Sequence, residues 1–172
     1  MSIESGTITD NEIAKMIAPI LMLTLLVAPY IICRLLHRIH QLQHSAAIGV
    51  GMMLMLTGSS HFVRTQQMTQ MLPEFMPLRY EAVLITGILE WVLALLVVFP
   101  ATRPTAAVAV LVMLMAFLPV NIYSAWVEAP VGGHQWGISY LILRIPLQLF
   151  IAGWVWYWLL SRRTTPSSTF IR

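Results

Sequence analysis

The stretch from Tyr80 to Pro100, Y-E-A-V-L-I-T-G-I-L-E-W-V-L-A-L-L-V-V-F-P, constrains the fold more than any other part of the chain. It is long enough to cross a bilayer as a helix, which takes about 20 residues at about 1.5 Å each. Near its midpoint stands one acid, Glu90. An ionised carboxylate at such a depth costs about 2.5–3.5 kcal/mol or more. Glu90 is therefore expected to be protonated, paired, or turned toward a wet interior, and the rest of the chain has to supply its surroundings.

The composition agrees with a membrane protein. Of 172 residues, 58% are hydrophobic and 10% charged, where a soluble domain carries about 25% charged residues. Mean hydropathy is +0.77. The net charge of +3 is spread among loops and does not form the patch that nucleic acid requires, so no nucleic-acid partner is expected. The one cysteine, Cys33, forbids an intramolecular disulfide, a C-x-x-C exchange motif and a thiolate-built zinc site.

In chain order, a polar tail (1–12) precedes an apolar segment over 13–36, read as a retained helix because acidic residues precede it and no A-x-A site follows. Arg34–His44 is a basic loop in which His37, His40 and His44 would share one helical face; without a carboxylate or thiolate beside them, they read as a solvated helix end and no metal site is expected. The second span, Ala46–Phe62, carries Gly49, Gly51, Gly58 and Ser59 as a small-residue surface for close helix approach. Arg64–Arg79 is too short and polar to cross. It is expected to lie in the interface as an amphipathic helix broken at Pro73 and Pro77, a lid over residues 65–77. Beyond the central span come a tight turn at Ala101–Pro104, a fourth span Thr105–Val127, a flexible loop Glu128–Gln135 and a fifth span Trp136–Leu160 ending in an aromatic belt. A polar tail (161–172) closes the chain.

Five spans put the termini on opposite sides. With the N-terminus outside, Arg34, Arg38, Arg103, Arg162, Arg163 and Arg172 fall inside, while Lys15, Arg64, Arg79 and six of the seven acids fall outside, as the positive-inside rule demands. Counting from the outer surface, Glu90 lies about 15 Å deep, Arg144 about 12 Å, and Asn121 and Thr86 about 9 Å. His61 lies just below the surface, and Gln148 one turn below Arg144. An Arg and a Glu at one level can neutralise each other, with Asn121 and Gln148 meeting the remaining donors and acceptors. Polar pairs also serve simply to hold helices together, at about 1 kcal/mol or less each, but Ser, Thr or Asn would do that with less desolvation.

The blocks G-S-S-H-F (58–62), M-L-P-E-F-M-P (71–77), G-I-L-E (87–90), F-L-P-V-N-I-Y-S-A (117–125) and R-I-P-L-Q (144–148) resemble, in order, signature blocks of the DoxX-like membrane proteins. The likeness spans about residues 45–160. It implies a four-helix membrane core, mostly found in bacterial cytoplasmic membranes, with relatives that include a thiosulfate:quinone oxidoreductase subunit and a methylamine-utilisation protein. The first span is then an addition to that core, and Arg64-Thr65 stands where the family often has a proline nearby. The shared polar positions carried over are His61, Glu90, Asn121, Arg144 and Gln148.

The expected fold is an all-α integral membrane protein: a four-helix transmembrane bundle (45–160), one extra N-terminal transmembrane helix and a short interfacial helix, in a single domain. The expected function is a redox-associated subunit of the bacterial cytoplasmic membrane. Glu90 is its proton carrier and His61 its relay, and Arg144, Asn121, Gln148 and Thr86 bind a ligand such as a non-covalent quinone. Lipid, a redox-enzyme subunit and a second copy of the chain are the partners considered. The alternatives are a non-catalytic scaffold and a binder or transporter of a small lipophilic molecule.

Overall fold

A computed structural model describes residues 5–130 and 133–162. Helix accounts for 84% of the structure, and the described residues contain no strand. The elements are α1 (Ser5–Leu35), a 3-10 turn (Ile39–Gln41), α2 (Leu42–Val63), α3 (Thr65–Thr69), α4 (Arg79–Val98), α5 (Arg103–Trp126), a 3-10 segment (His134–Tyr140) and α6 (Leu141–Val155), which runs on into a π-helical turn (Trp156–Ser161). Among the described residues, four stretches are long and apolar enough to cross a membrane: Ile39–Val63, Arg79–Val98, Arg103–Trp126 and Trp136–Ser161. In lipid such stretches have no choice but helix, because only helix satisfies their backbone groups from within. Pro119 and Pro146 inside α5 and α6 are tolerated for the same reason that they are in membrane helices generally, namely that neighbouring helices take up the freed groups.

The helices pack as neighbours in a ring. α2 lies against α4 and α1, α4 against α5, and α5 against α6, while the π-helical end of α6 returns to α2 and α5. The core between them is small and aliphatic, with Ala46, Ala47, Val50, Val97, Ala107, Val110 and Val155 each fully buried. Outward-facing Ile85, Leu95, Val112, Met115, Ile142 and Leu149 are each at least 60% exposed, as expected of side chains that meet lipid rather than water.

The glycines of α2 set the spacing. A Cβ at Gly49 would stand 2.1 Å from the Leu26 carbonyl oxygen of α1. Gly51 and Gly58 face the other way, onto α4: a Cβ on Gly58 would meet Trp91 Cδ1 at 2.6 Å and the Gly87 carbonyl oxygen at 3.0 Å. Gly87 in turn would strike His61 Cβ at 2.8 Å and the Gly58 carbonyl oxygen at 3.1 Å. The small-residue surface is thus two surfaces, one for α1 and one for α4.

Several local expectations are corrected. Helix α1 begins at Ser5, inside the stretch read as an N-terminal tail; the remaining residues of that tail (1–4) and the C-terminal tail from 163 on lie outside the described residues. His37, His40 and His44 do not share a helical face, because α1 stops in a Schellman turn (His37 N–H to Arg34 O, 3.1 Å; Arg38 N–H to Cys33 O, 3.1 Å) with His37 at φ 55°. The expected interfacial helix is only the five residues of α3. The chain beyond it turns, since Pro73 and Pro77 disfavour helix in the residues before them. Phe75 there is 88% exposed. The loop after α5 folds back as well: Ala129 and His134 are buried and the 3-10 segment packs on α5, although residues 131 and 132 lie outside the described residues.

Gly87→Ala should lower the unfolding midpoint in mild detergent by the equivalent of about 1–3 kcal/mol, because the overpacking outweighs the gain in helix propensity. Gly153→Ala, where nothing stands within 4 Å of the new Cβ, should leave the midpoint unchanged or raise it. Equal shifts for the two would mean that the close crossing of α2 and α4 is not what holds them.

Candidate functional site

The buried acid lies at that crossing. Glu90 is 3% exposed, on the stripe Val83–Gly87–Glu90–Ala94–Val97 that α4 turns inward. Two side chains of α2 reach it. The Thr57 hydroxyl bonds Glu90 Oε2, and His61 Nε2 stands 3.4 Å from Glu90 Oε1. Thr57 and His61 are four residues apart and so share a helical face. The opposite edge of the imidazole is held by α4: Nδ1 lies 2.9 Å from the Val83 carbonyl oxygen and 3.2 Å from Thr86 Oγ1. Thr86 itself is placed to donate to the carbonyls of Ala82 (2.9 Å) and Val83 (2.8 Å).

These contacts determine the tautomer. A carbonyl oxygen only accepts, so Nδ1 must carry a hydrogen to bond Val83. Nε2 is then the variable position. Glu90 and His61 make a favourable contact when one proton lies between them, either as carboxylic acid with neutral imidazole or as carboxylate with imidazolium. The two forms have the same net charge, so the proton can shift without placing a net charge in the membrane. At 3.4 Å the contact is longer than a closed hydrogen bond, and it is the side chain of His61, 15% exposed, that links the pair to the end of α2.

A second polar group lies between α5 and α6. Asn121, 5% exposed, donates from Nδ2 to Gln148 Oε1 at 3.3 Å. Gln148 Nε2 donates to the Leu114 carbonyl, and the Ser124 hydroxyl to the Asn121 carbonyl at 3.0 Å. Gln148 also edges an apolar groove of about 290 Å³ whose other walls include Leu111, Leu114, Leu118, Ile145 and Leu149.

The structure therefore brings Glu90, His61 and Thr86 together, and separately Asn121 and Gln148. It does not make the expected Glu90–Arg144 pair. Arg144 is half-buried on α6 and has no hydrogen bond or ion pair among the described residues. The reason is the order of the helices around the ring: Glu90 points at α2, while α6 packs on α5.

Two participants escaped the sequence reading. Thr57 could have been found from its i, i+4 spacing to His61. Arg103, expected as an inner-face loop charge, is 6% exposed and closes the C-terminal end of α4. Its Nε donates to Val97 O at 3.1 Å, and its Nη2 to Val98 O at 2.8 Å and to His44 Nδ1 at 3.0 Å. The last carbonyls of a helix need such partners and attract a cation. Since a guanidinium only donates, His44 Nδ1 accepts, and its ring proton sits on Nε2.

Described residues that are helical without a strand, four membrane-length apolar helices among them and polar side chains buried between those, define the class. The family described as "Domain of unknown function (DUF8561)" matches residues 50–159, more than half the chain, and the chain belongs to that family. No curated protein matches it, and no solved structure does.

Solid-state ¹⁵N NMR of the His61 ring should show Nδ1 protonated at neutral pH, whatever the state of Nε2. A bare Nδ1 with a protonated Nε2 would remove the shared-proton arrangement.

Proposed function

We propose that this chain is a DoxX-like, redox-associated protein of a bacterial cytoplasmic membrane, and that its Glu90–His61 couple carries a proton between the membrane interior and the outer surface. The observation that supports this most is the carboxyl of Glu90, buried between helices and facing an imidazole whose tautomer Val83 has already fixed. Intramembrane acids of this kind mark proton pathways more often than they serve as glue. A neutral Glu–His pair takes up or releases a proton by passing through an imidazolium or a carboxylate stabilised by its neighbour.

A small lipophilic molecule such as a quinone fits the α5–α6 groove. Its volume of about 290 Å³ is at the lower edge of the range for small-ligand sites, roughly 300–1,000 Å³. The walls are apolar, and Gln148 is the polar residue among them, its amide donating to the Leu114 carbonyl. Asn121 orients that amide, and Arg144, one turn along α6, is a donor without a protein partner among the described residues. A bound quinone accepts two electrons and two protons; the electrons would come from a redox-enzyme subunit. Thr86 holds His61 rather than the ligand.

The topology in this reading keeps the N-terminus outside, with α1 as a fifth crossing. It is supported by the ends of the helices: Arg34, Arg103 and Arg162 gather at one end of the bundle, tied together by Arg103–His44 and by Gln43 Nε2 donating to Arg162 O at 3.1 Å. A non-catalytic scaffold is the competing reading, favoured by the dense packing around Gly58 and Gly87.

Glu90→Gln should abolish pH-coupled redox activity of membranes carrying the chain while leaving ligand affinity within about twofold. Arg144→Leu and Gln148→Leu should each weaken binding of a quinone analogue by about tenfold, or about 1.4 kcal/mol. If all three behave as wild type and a partner still co-purifies, the scaffold reading replaces this one.

A further inference from the structure

A cleft of about 610 Å³ lies not at the polar pair but at the opposite end of the bundle, between the ends of α1 and of the last helix. Its walls carry three basic side chains, Arg34, His37 and Arg162, and three aromatic ones, Tyr30, Tyr157 and Trp158; no acid lines it among the described residues. We propose that this cleft binds the phosphodiester of an anionic phospholipid.

The first support is the donor set. Arg162 is held against the rings of Trp158 and Tyr157, its Cζ 4.6 and 4.8 Å from their centroids, and it donates to the Tyr157 hydroxyl at 2.6 Å. Arg34 donates weakly to the Tyr30 hydroxyl at 3.4 Å. Each guanidinium is thereby positioned through one of its five N–H groups, and the others remain for an anion. His37 reaches the cleft from a left-handed backbone position (φ 55°) that a helix end normally gives to glycine.

The second support is layering, which favours a lipid over a free phosphate. Along the last helix, Arg162, Trp158 and Trp154 follow at intervals of four residues, about 6 Å apart and progressively deeper. Trp154 packs edge-on to Tyr30 with ring centroids 5.3 Å apart, and Tyr30 also packs on Trp158 at 4.9 Å, so the aromatic wall continues below the cations. A phospholipid presents its groups in the same order: phosphate at the surface, then ester groups and acyl chains that can lie against aromatic rings. Free phosphate would use the cations and leave the aromatic wall uncovered. The position also suits the ligand, since basic and aromatic side chains at the end of a membrane helix lie at headgroup level. This site is independent of the Glu90–His61 couple.

The test uses the full chain in mild detergent, titrated with short-chain phosphatidylglycerol, short-chain phosphatidylcholine or inorganic phosphate, and followed by native mass spectrometry and thermal shift. Phosphatidylglycerol should bind on the order of tenfold tighter than phosphatidylcholine, and inorganic phosphate at the same concentration should not displace it. Arg34→Gln and Arg162→Gln should each weaken it on the order of fivefold, and the double variant roughly thirtyfold. Both side chains are exposed, so the single variants keep the test open if the double variant fails to fold. Equal binding of phosphatidylcholine would overturn the proposal. So would displacement by phosphate alone, which would make the site one for a free anion, or equal weakening by Arg64→Gln and Arg79→Gln at the far end, which would reduce the effect to net charge.

Discussion

The close passage of α2 over α4 is the contact on which the rest of the molecule depends. Lipid gives no hydrophobic reason for two apolar helices to associate, so packing has to hold them, and packing is best where side chains are absent. Gly58 and Gly87 let the backbones approach until each is in contact with the other's carbonyl. At that distance the short side chain of Thr57 reaches the Glu90 carboxyl, and the His61 ring fits between Glu90 on one edge and Val83 on the other. Larger residues at the two glycines would leave the acid in an apolar interior without partners. The glycines and the carboxyl therefore form one feature: the first makes room for the second, and the second supplies polar contacts that hold the crossing in register.

Much of this was legible in the sequence, within a definable limit. Of the five spans expected from apolar length, four are helices long and apolar enough to cross among the described residues, while the apolar part of α1, Pro19–Leu35, is shorter. The midpoint acid singled out Glu90, and Thr86 was placed on its face by a one-turn spacing that the structure keeps. What could not be read was adjacency. Counting residues from a surface gives depth but not which neighbour a helix has around the bundle, and on that question Arg144 and Glu90 part company. Helices α4 and α6 come close enough in a depth count to suggest a pair, yet α5 lies between them in packing. Charge counting failed at Arg103 for a different reason. The unsatisfied carbonyls that end α4 are themselves a strong acceptor site, and a count of charged side chains does not include them. The three histidines of the first loop illustrate a third limit, since a helical face exists only where the helix continues, and here the backbone turns at His37.

Glu90 and Arg103, on neighbouring helices, show two different solutions to a charge in an apolar interior, and the difference bears on function. Arg103 cannot lose its proton, so its surroundings must accept from it permanently: two backbone carbonyls at the negative end of a helix and an imidazole nitrogen do so. Such a site is static. Had Glu90 been paired with Arg144, it would have been equally static, with the carboxyl held ionised by a partner that never changes state. Histidine as the partner alters this. Both members of the Glu90–His61 couple can be neutral, both can be charged, and one proton separates the two conditions. An acid needed only to glue helices together gains nothing from a partner that titrates. In the proposed proton-carrying role, an imidazole partner gives the carboxyl a group with which to exchange a proton, and a hydrogen held on Nδ1 confines that exchange to Nε2. The Val83 carbonyl fixes that hydrogen.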